Sequence, residues 1–254
     1  MKKLIIASAI ASAFAGQLVY AEDAAPAAAP APDHVVAFNV GVTNDYRFRG
    51  ISQTRLQPAV SAGADYTNTP TGLYAGTWTS NIKWIEDGVS SGNGSQEIDL
   101  YGGKRGEISG VAYDIGLIRY YYRKNGWPVS ANTTEAYGQV GYGPAYIKYS
   151  QAVTNFLGWA DGSDGSNYID VGVNQEIKDG YILNLHYGKQ VVKNYSTADY
   201  SDWKVGVTKD FGMAVVAVAV VGTSGADKTS AGYNFGGKDF TGNTAGVVTV
   251  TKSF

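Results

Sequence analysis

The feature that most limits the fold is an alternation of apolar and other side chains that recurs from Val35 to the end of the chain. In its first segment the apolar positions are Val36, Phe38, Val40 and Val42, and the positions between them are polar or small. A period of two places successive side chains on opposite faces of a β-strand. The most apolar stretch, Met213–Val221, has about nine residues, which suits a tilted membrane strand and is too short for a membrane-spanning helix.

The spacing of these segments predicts an all-β fold, an antiparallel transmembrane β-barrel of about 12 strands. We expect the strands near residues 35–46, 58–66, 73–84, 96–105, 110–122, 133–142, 145–154, 167–176, 180–190, 200–209, 212–222 and 244–254. Five connections are tight and the other six are longer, such as Ile85–Ser95 and Thr223–Asn243. Short turns at one end and long loops at the other are typical of bacterial outer-membrane barrels, whereas a soluble sandwich has no reason to sort its loops by length.

Composition excludes several classes of protein. The chain has 254 residues and no cysteine, which excludes thiolate metal sites, disulfides and a cysteine nucleophile. Its 33 glycines and 19 tyrosines favour strands and turns, and its net charge of −2 gives no sign of nucleic-acid binding. We therefore predict no nucleic-acid partner, no cofactor and no metal.

The first residues resemble an export signal. Lys2 and Lys3 precede an apolar run, and the small residues of Val19-Tyr20-Ala21 predict cleavage before Glu22. We therefore expect a signal peptide over residues 1–21, an Ala/Pro-rich periplasmic linker over residues 22–33, and an outer-membrane β-barrel over residues 34–254.

The last strand carries an assembly feature. Phe254 ends the chain on the same face as Val248 and Val250, which resembles the terminal signal read by the barrel-insertion machinery. Aromatic side chains near strand ends are expected to face outward, toward the outer-membrane lipid, where amphipathic rings gather at the headgroups. These rings are Tyr46, Phe48, Tyr74, Trp84, Tyr113, Tyr142, Tyr149, Tyr181, Tyr187 and Trp203.

Charged side chains on the other face are the candidate functional residues. A charge that faces lipid at mid-depth costs about 2–4 kcal/mol for Arg or Lys, so these residues are expected to line the lumen. The predicted pore-lining residues are Asp45, Arg47 and Arg49 at the outer end of strand one, followed by Glu97, Asp99, Asp114, Glu135, Lys148, Asp170, Glu176, His186, Asp202 and Lys204. The same set also suits salt bridges that brace a closed barrel, and the sequence leaves both interpretations open.

Catalysis is not expected. Both histidines, His34 and His186, lack an identifiable serine partner, and no Gly-x-Ser-x-Gly motif occurs. His186 is expected to be a hydrogen-bonded residue of the lumen.

Three stretches carry a family resemblance. They are T43-N-D-Y-R-F-R-G-I-S-Q followed by P58-A-V, then G72-L-Y-A-G-T-W-T-S-N, and the tyrosine cluster R119-Y-Y-Y. Over about Val35–Phe254 the chain resembles the TorF family of porin-like proteins. In that family a proline usually follows the tyrosine cluster, whereas Arg123 follows here and Pro128 comes later. The resemblance implies an outer-membrane barrel and passive permeation, with no catalytic residue and no defined substrate.

Together these observations predict an outer-membrane channel for small polar solutes or ions. The alternatives are a closed structural barrel, a barrel that binds partners through its outer loops as an adhesin or receptor does, and a lipid hydrolase embedded in the barrel.

Overall fold

A computed structural model describes residues 32–88, 94–160, 162–226, 233–234 and 240–254. The strands in this part of the chain are β1 (His34–Thr43), β2 (Arg47–Phe48), β3 (Ile51–Ser52), β4 (Ala59–Asn68), β5 (Leu73–Asn81), β6 (Gln96–Ile108), β7 (Val111–Tyr122), β8 (Thr133–Tyr142), β9 (Ala145–Ala152), β10 (Asn167–Lys178), β11 (Tyr181–Val191), β12 (Tyr200–Asp210), β13 (Val215–Ser224) and β14 (Ala245–Ser253). A short helix α1 (Trp84–Gly88) and a 3₁₀ turn at Ser196–Ala198 complete the regular structure. The predicted signal peptide and all but the end of the predicted linker lie outside the described residues.

Twelve of these strands form one closed antiparallel barrel, and β2 and β3 form a separate two-stranded hairpin. Each barrel strand pairs with its neighbours along the chain, and β1 closes the ring by pairing with both β4 and β14. In that closure Val40 lies opposite Lys252 on one side and Ala62 on the other. The predicted twelve-stranded antiparallel barrel is confirmed.

The two ends of the barrel differ in the length of their connections. At the turn end, short turns join β4–β5, β6–β7, β8–β9, β10–β11 and β12–β13. Ser109-Gly110 and Asp179-Gly180 make two-residue hairpins with positive φ at both positions, the turn whose twist matches the flanking strands. At the loop end are the longer loops L1 (44–58), L2 (82–95), L3 (123–132), L4 (153–166), L5 (192–199) and L6 (225–244).

The outer face of the barrel is apolar yet exposed. In β1 the outward side chains are Val36, Phe38, Val40 and Val42, and each is 47–60% exposed. Exposed apolar side chains on every second residue are what a lipid environment requires. Within the described residues, no helix is both long and apolar enough to cross a bilayer.

The interior is divided into two halves of different character. In the loop-side half, inward residues such as Trp78, Glu97, Tyr120 and Glu135 are buried. In the turn-side half, inward residues such as Tyr74, Tyr101, Asp114, Tyr137 and Gln139 are only half-buried. The loop-side half is therefore filled, whereas several inward side chains of the turn-side half stay partly exposed.

Much of the filling comes from the predicted connection between strands one and two, together with the ends of two predicted strands. Strand one was expected to reach Tyr46, but β1 ends at Thr43 and the next residues turn into the barrel. Strand three was expected to reach Trp84, but β5 ends at Asn81 and Trp84 begins α1. An alternation of period two describes any extended segment, whether it belongs to the wall or lies inside it.

Four rings of the predicted outer aromatic set lie inside. Tyr46, Phe48 and Trp84 are buried among the loops because their segments leave the wall. Tyr74 points into the turn-side half because it shares the inward parity of Trp78 on β5. Tyr142, Tyr149, Tyr181 and Tyr187 are exposed on the outer face as expected.

Candidate functional site

The candidate site is the lumen, whose loop-side half is occupied by the β2–β3 hairpin of L1. Phe48 pairs with Ile51 across this hairpin, and Arg49 and Gly50 form its turn with φ values of 47° and 79°. A Cβ added at Gly50 would lie 2.6 Å from the Cβ of Asp202 on β12. The turn therefore needs glycine for both its backbone conformation and its close approach to the wall.

The guanidinium of Arg49 is held by three strands of the opposite wall. Its Nη2 donates to Oε2 of Glu135 at 2.6 Å, and its Nη1 donates to Oε1 of Gln190 at 2.8 Å. The ring of Tyr168 lies 4.3 Å from the guanidinium carbon, and the ring of Phe48 lies 4.7 Å from it. Burial lowers the pKa of Arg49, but the carboxylate of Glu135 together with Tyr120 and Tyr168 raises it, and the pKa lies above its ordinary value.

Arg47 secures the base of the hairpin to L6. Its Nε donates to Oδ2 of Asp45 at 2.5 Å, and its Nη1 donates to the carbonyl oxygens of Gly50, Thr241 and Asn243. Ser52 donates to the other carboxylate oxygen of Asp45. A buried ion pair with additional hydrogen bonds on each partner is the arrangement in which buried charges are tolerated.

Tyr46 and Phe48 fix the side of the hairpin that faces β5, β6 and β7. The hydroxyl of Tyr46 donates to Oε1 of Glu97 at 2.7 Å, and its ring meets that of Trp78 edge-on. Phe48 meets Tyr120 in the same way. Burial and the carboxylates near it raise the pKa of Tyr46 well above its ordinary value, so this hydroxyl stays a neutral donor. Together with the contacts of Arg49 and Gly50, these contacts extend L1 across the loop-side half from β5 to β12.

The described residues of the other loops pack above L1 in two apolar clusters. One contains Trp84, Ile85 and Ala131, with Trp127 packed against it, and the indole of Trp127 donates to the carbonyl of Ile85 at 3.1 Å. The other joins residues of L4, L5 and L6, namely Phe156, Val192, Ala198 and Tyr233, with Ile51 of the hairpin. The loops thus form a cap that is continuous with L1.

A second polar network lies beneath the hairpin, where the two halves meet. His186 places Nδ1 2.8 Å from Asp170 and Nε2 2.8 Å from Asp202. The hydroxyl of Tyr168 donates to Asp202 at 2.8 Å and lies 3.1 Å from Nε2 of the same histidine. The wall residues that face L1 are therefore oriented by bonds among themselves.

Tyrosines and carboxyl groups line the turn-side half. Tyr74 donates to Asp114 at 2.6 Å and shares a hydrogen bond with Tyr137, while Tyr101 donates to Asp65 at 2.6 Å. A Cβ added at Gly76 would lie 2.5 Å from the ring of Tyr101, so that ring lies against the wall. These tyrosine and carboxyl side chains remain half-buried.

Most predicted pore-lining residues occupy the inward register. Those on barrel strands that point into the lumen are Glu97, Asp99, Asp114, Glu135, Lys148, Asp170, His186, Asp202 and Lys204. Asp45, Arg47 and Arg49 are also inside, but they belong to L1 and not to the end of strand one as expected. Glu176 has the inward parity of Asp170 but is exposed beside the β10–β11 turn, where it accepts from the amide of Gly180. The strand continues past Glu176 to Lys178, which places this carboxylate at the rim.

Phe254 is 72% exposed on the outer face, and its backbone exchanges two hydrogen bonds with Phe38 at the β1–β14 closure.

Sequence reasoning missed the uncharged lumen residues Tyr101, Tyr168 and Gln190. Each shares its strand parity with a charged residue that was identified, and this parity is the signal that could have found them.

Solved structures with a similar fold include the following three. A membrane protein from work on in-meso crystallization has a TM-score of 0.50 and 7% identity, with 86% of this chain and 83% of that chain covered. LpxR from Salmonella typhimurium has a TM-score of 0.40 and 10% identity, with 86% and 99% covered. OccAB4 of Acinetobacter baumannii has a TM-score of 0.39 and 11% identity, with 78% and 53% covered.

No curated protein matches the sequence. A family model does match it, over residues 27–254, and carries the description of a bacterial protein of unknown function, Gcw_chp. That match includes the entire barrel and the L1 hairpin. The chain belongs to the Gcw_chp family of bacterial proteins of unknown function.

Proposed function

We propose that the protein is a porin-like channel of the bacterial outer membrane, which passes small polar solutes or ions by passive diffusion. In the described conformation L1 occupies the loop-side half of its lumen. The observation that carries the proposal is the turn-side half, where polar side chains such as Tyr74, Asp114 and Gln139 face open space inside a closed barrel.

Strand number supports a lumen wide enough for solutes. An eight-stranded barrel is filled by its own side chains, and a sixteen-stranded porin leaves an aqueous channel, so twelve strands fall between them. In the turn-side half the large side chains lie along the wall, as Tyr101 does over Gly76. We therefore infer that the turn-side half is a polar, water-accessible part of the lumen.

The contacts of L1 support its being able to leave the lumen. The hairpin belongs to no barrel strand, and β1 and β4 pair directly from Thr43–Ala59 downward. Several of its contacts with the wall are side-chain hydrogen bonds and ion pairs, which water can replace when the hairpin moves out. The barrel can stay closed as a sheet while L1 changes position.

Single-channel recording of the purified protein in planar bilayers tests the proposal. We expect conductance steps from the wild type, and more frequent opening when Arg47 and Arg49 are both replaced by alanine. Arg55→Ala is the matched control, because this third arginine of L1 pairs with Asp87 of α1 and is 26% exposed. Absence of conductance from the wild type and from the double variant would refute the channel.

A closed barrel that binds partners through its loops is the second candidate. The observation that favours it is the loop cap, in which the cluster of Phe156, Val192 and Tyr233 joins L4, L5 and L6. Loops that pack together in this way can contact a binding partner jointly. The same recordings separate the two functions, because a closed barrel gives no conductance with or without the L1 arginines.

We also propose that the protein lies in the outer membrane, as its resemblance to the TorF family implies. We propose no catalytic activity for it. Within the described residues, the hydrogen bonds of His186 go to two carboxylates and a tyrosine, which differs from the serine–histidine pairing of hydrolases. N-terminal sequencing and membrane fractionation test the placement, with Glu22 expected as the first residue. A soluble periplasmic product would contradict it.

Deletion of Phe254 tests the predicted contact with the barrel-insertion machinery. Because this ring is exposed on the outer face and distant from L1, we expect a lower amount of assembled protein and unchanged conductance per assembled molecule. Immunoblots of outer-membrane fractions measure the first quantity. Normal outer-membrane levels of the truncated protein would show that Phe254 is dispensable for assembly.

A further inference from the structure

The strongest unassigned feature is the wall site that receives Arg49. Its three groups are the carboxylate of Glu135 on β8, the amide oxygen of Gln190 on β11 and the ring face of Tyr168 on β10. The two hydrogen-bond acceptors engage different nitrogens of one guanidinium while the ring covers its face. A planar cation with several donors is the group that such a site fits, and an ammonium matches it less well.

The wall orients two of these three groups, Gln190 and Tyr168, without help from L1. The amide nitrogen of Gln190 donates to the carbonyls of Asn167 at 3.0 Å and Val191 at 3.2 Å, which turns its oxygen toward the lumen. The hydroxyl of Tyr168 donates to Asp202, which fixes the plane of its ring. A site whose members are oriented by their own neighbours is preorganised, so it persists when its occupant leaves.

The occupant, by contrast, comes from a segment outside the barrel sheet. Arg49 lies at the turn of the β2–β3 hairpin with φ at 47°, a conformation that non-glycine residues rarely adopt. The hairpin thus delivers a guanidinium into a site that β8, β10 and β11 build. Below this site the lumen opens into the turn-side half.

From this geometry we propose that Glu135, Gln190 and Tyr168 form a binding site for guanidinium-bearing solutes, and that Arg49 is its tethered occupant. This rests on the proposed function and names its solute class: small cations that carry a guanidinium group, which bind in the lumen when L1 withdraws. Arg49 then serves both to close the lumen and to keep the site filled.

Chemical rescue tests the site without requiring conductance. Arg49→Ala removes the occupant, and methylguanidinium, the end of an arginine side chain, is supplied at millimolar concentrations, below those that denature. We expect it to raise the unfolding temperature of Arg49→Ala by about 3 °C or more and to leave the wild type unchanged. Equal concentrations of urea, methylammonium and sodium chloride are expected to give at most a third of that shift.

Two further variants locate the effect. In Arg49→Ala with Glu135→Gln the anionic acceptor is lost, and the rescue is expected to disappear. In Arg55→Ala the wall site keeps Arg49 as its occupant, so methylguanidinium is expected to have no effect through that site. Rescue that survives Glu135→Gln, or that urea reproduces, would overturn the site.

Bilayer recording of Arg49→Ala separates this inference from the proposed function. We expect methylguanidinium to reduce the open-channel current in this variant and to have at least a tenfold weaker effect after Glu135→Gln. A conducting channel that methylguanidinium does not affect would overturn the solute class and leave the channel intact. Rescue by methylguanidinium in a protein that never conducts would keep the site and refute the channel.

Discussion

The two halves of the lumen are built from the same twelve strands and behave as different environments. In the loop-side half, Glu97 and Glu135 are buried and meet a hairpin that reaches them from L1. In the turn-side half, Asp114 is half-buried and meets Tyr74 of the wall itself. The presence of charged inward side chains therefore does not by itself leave space between the walls. The difference is whether a separate segment of chain fills the space between the walls.

The comparison also shows where the stability of each half originates. Ion pairs in the loop-side half join L1 to the wall, so losing one partner leaves a buried charge uncompensated. Hydrogen bonds in the turn-side half join neighbouring strands beside open space, where water can take the place of a missing partner. Equivalent substitutions should therefore have larger effects in the loop-side half.

The largest effect is expected from removing both lumen arginines of L1. Arg47→Ala with Arg49→Ala leaves Asp45 and Glu135 without their cations, which we expect to cost about 3–5 kcal/mol in the docking of L1. Urea unfolding in lipid vesicles measures the change in stability.

The same double variant is expected to change ion selectivity. Reversal potentials in a salt gradient should shift toward cation selectivity, because two positive charges leave the path. An open wild-type channel whose selectivity the double variant does not change would show that these arginines do not face the path.

The next effect concerns access to each half from water. The chain has no cysteine, so single cysteines can be introduced without a background signal. Ser80 is buried in the loop-side half, and Gln139 is half-buried in the turn-side half. If L1 must open at a cost of about 3 kcal/mol, Ser80→Cys should react with a methanethiosulfonate about 100-fold more slowly than Gln139→Cys. Equal labelling rates in detergent micelles would remove the distinction between the halves.

A smaller effect is expected from one methyl group at the tip of the hairpin. Gly50→Ala places a Cβ 2.6 Å from Asp202, whereas Gly212→Ala has the same φ of 79° and nothing within 4 Å. Both variants carry the backbone strain, and only the first adds overpacking, which costs about 1–3 kcal/mol. Unfolding free energies of the two variants isolate this contact. If they match, the tip of L1 is not pressed against β12.

The smallest effect is expected in the turn-side half. Tyr74→Phe removes the hydroxyl that donates to Asp114, and we expect a loss of about 1 kcal/mol because water can reach the carboxylate. L1 should stay docked, so the reactivity of Ser80→Cys is expected to be unchanged. A loss comparable to that of the double arginine variant would show that this half is packed as tightly as the other.

The sequence by itself determined the barrel. Inward and outward faces follow from alternation alone, because a strand whose apolar residues recur every two positions can bury only one face. The observed strands consequently begin and end within three residues of the predicted bounds, as β8 does at Thr133 and Tyr142. Turn residues such as Asp179-Gly180 specify their hairpins locally, through the backbone conformations they allow.

Only the tertiary structure decided the course of L1. Residues 44–49 continue the alternation of strand one, and this alternation does not distinguish a segment that continues the sheet from one that turns into the lumen. The choice depends on partners that are distant in the sequence, such as Glu135, Gln190 and Asp202, which closure of the barrel brings together around Arg49 and Gly50. Contacts of this kind exist only after the sheet has closed, and for that reason the alternation predicts the wall of this protein and leaves the contents of its lumen undetermined.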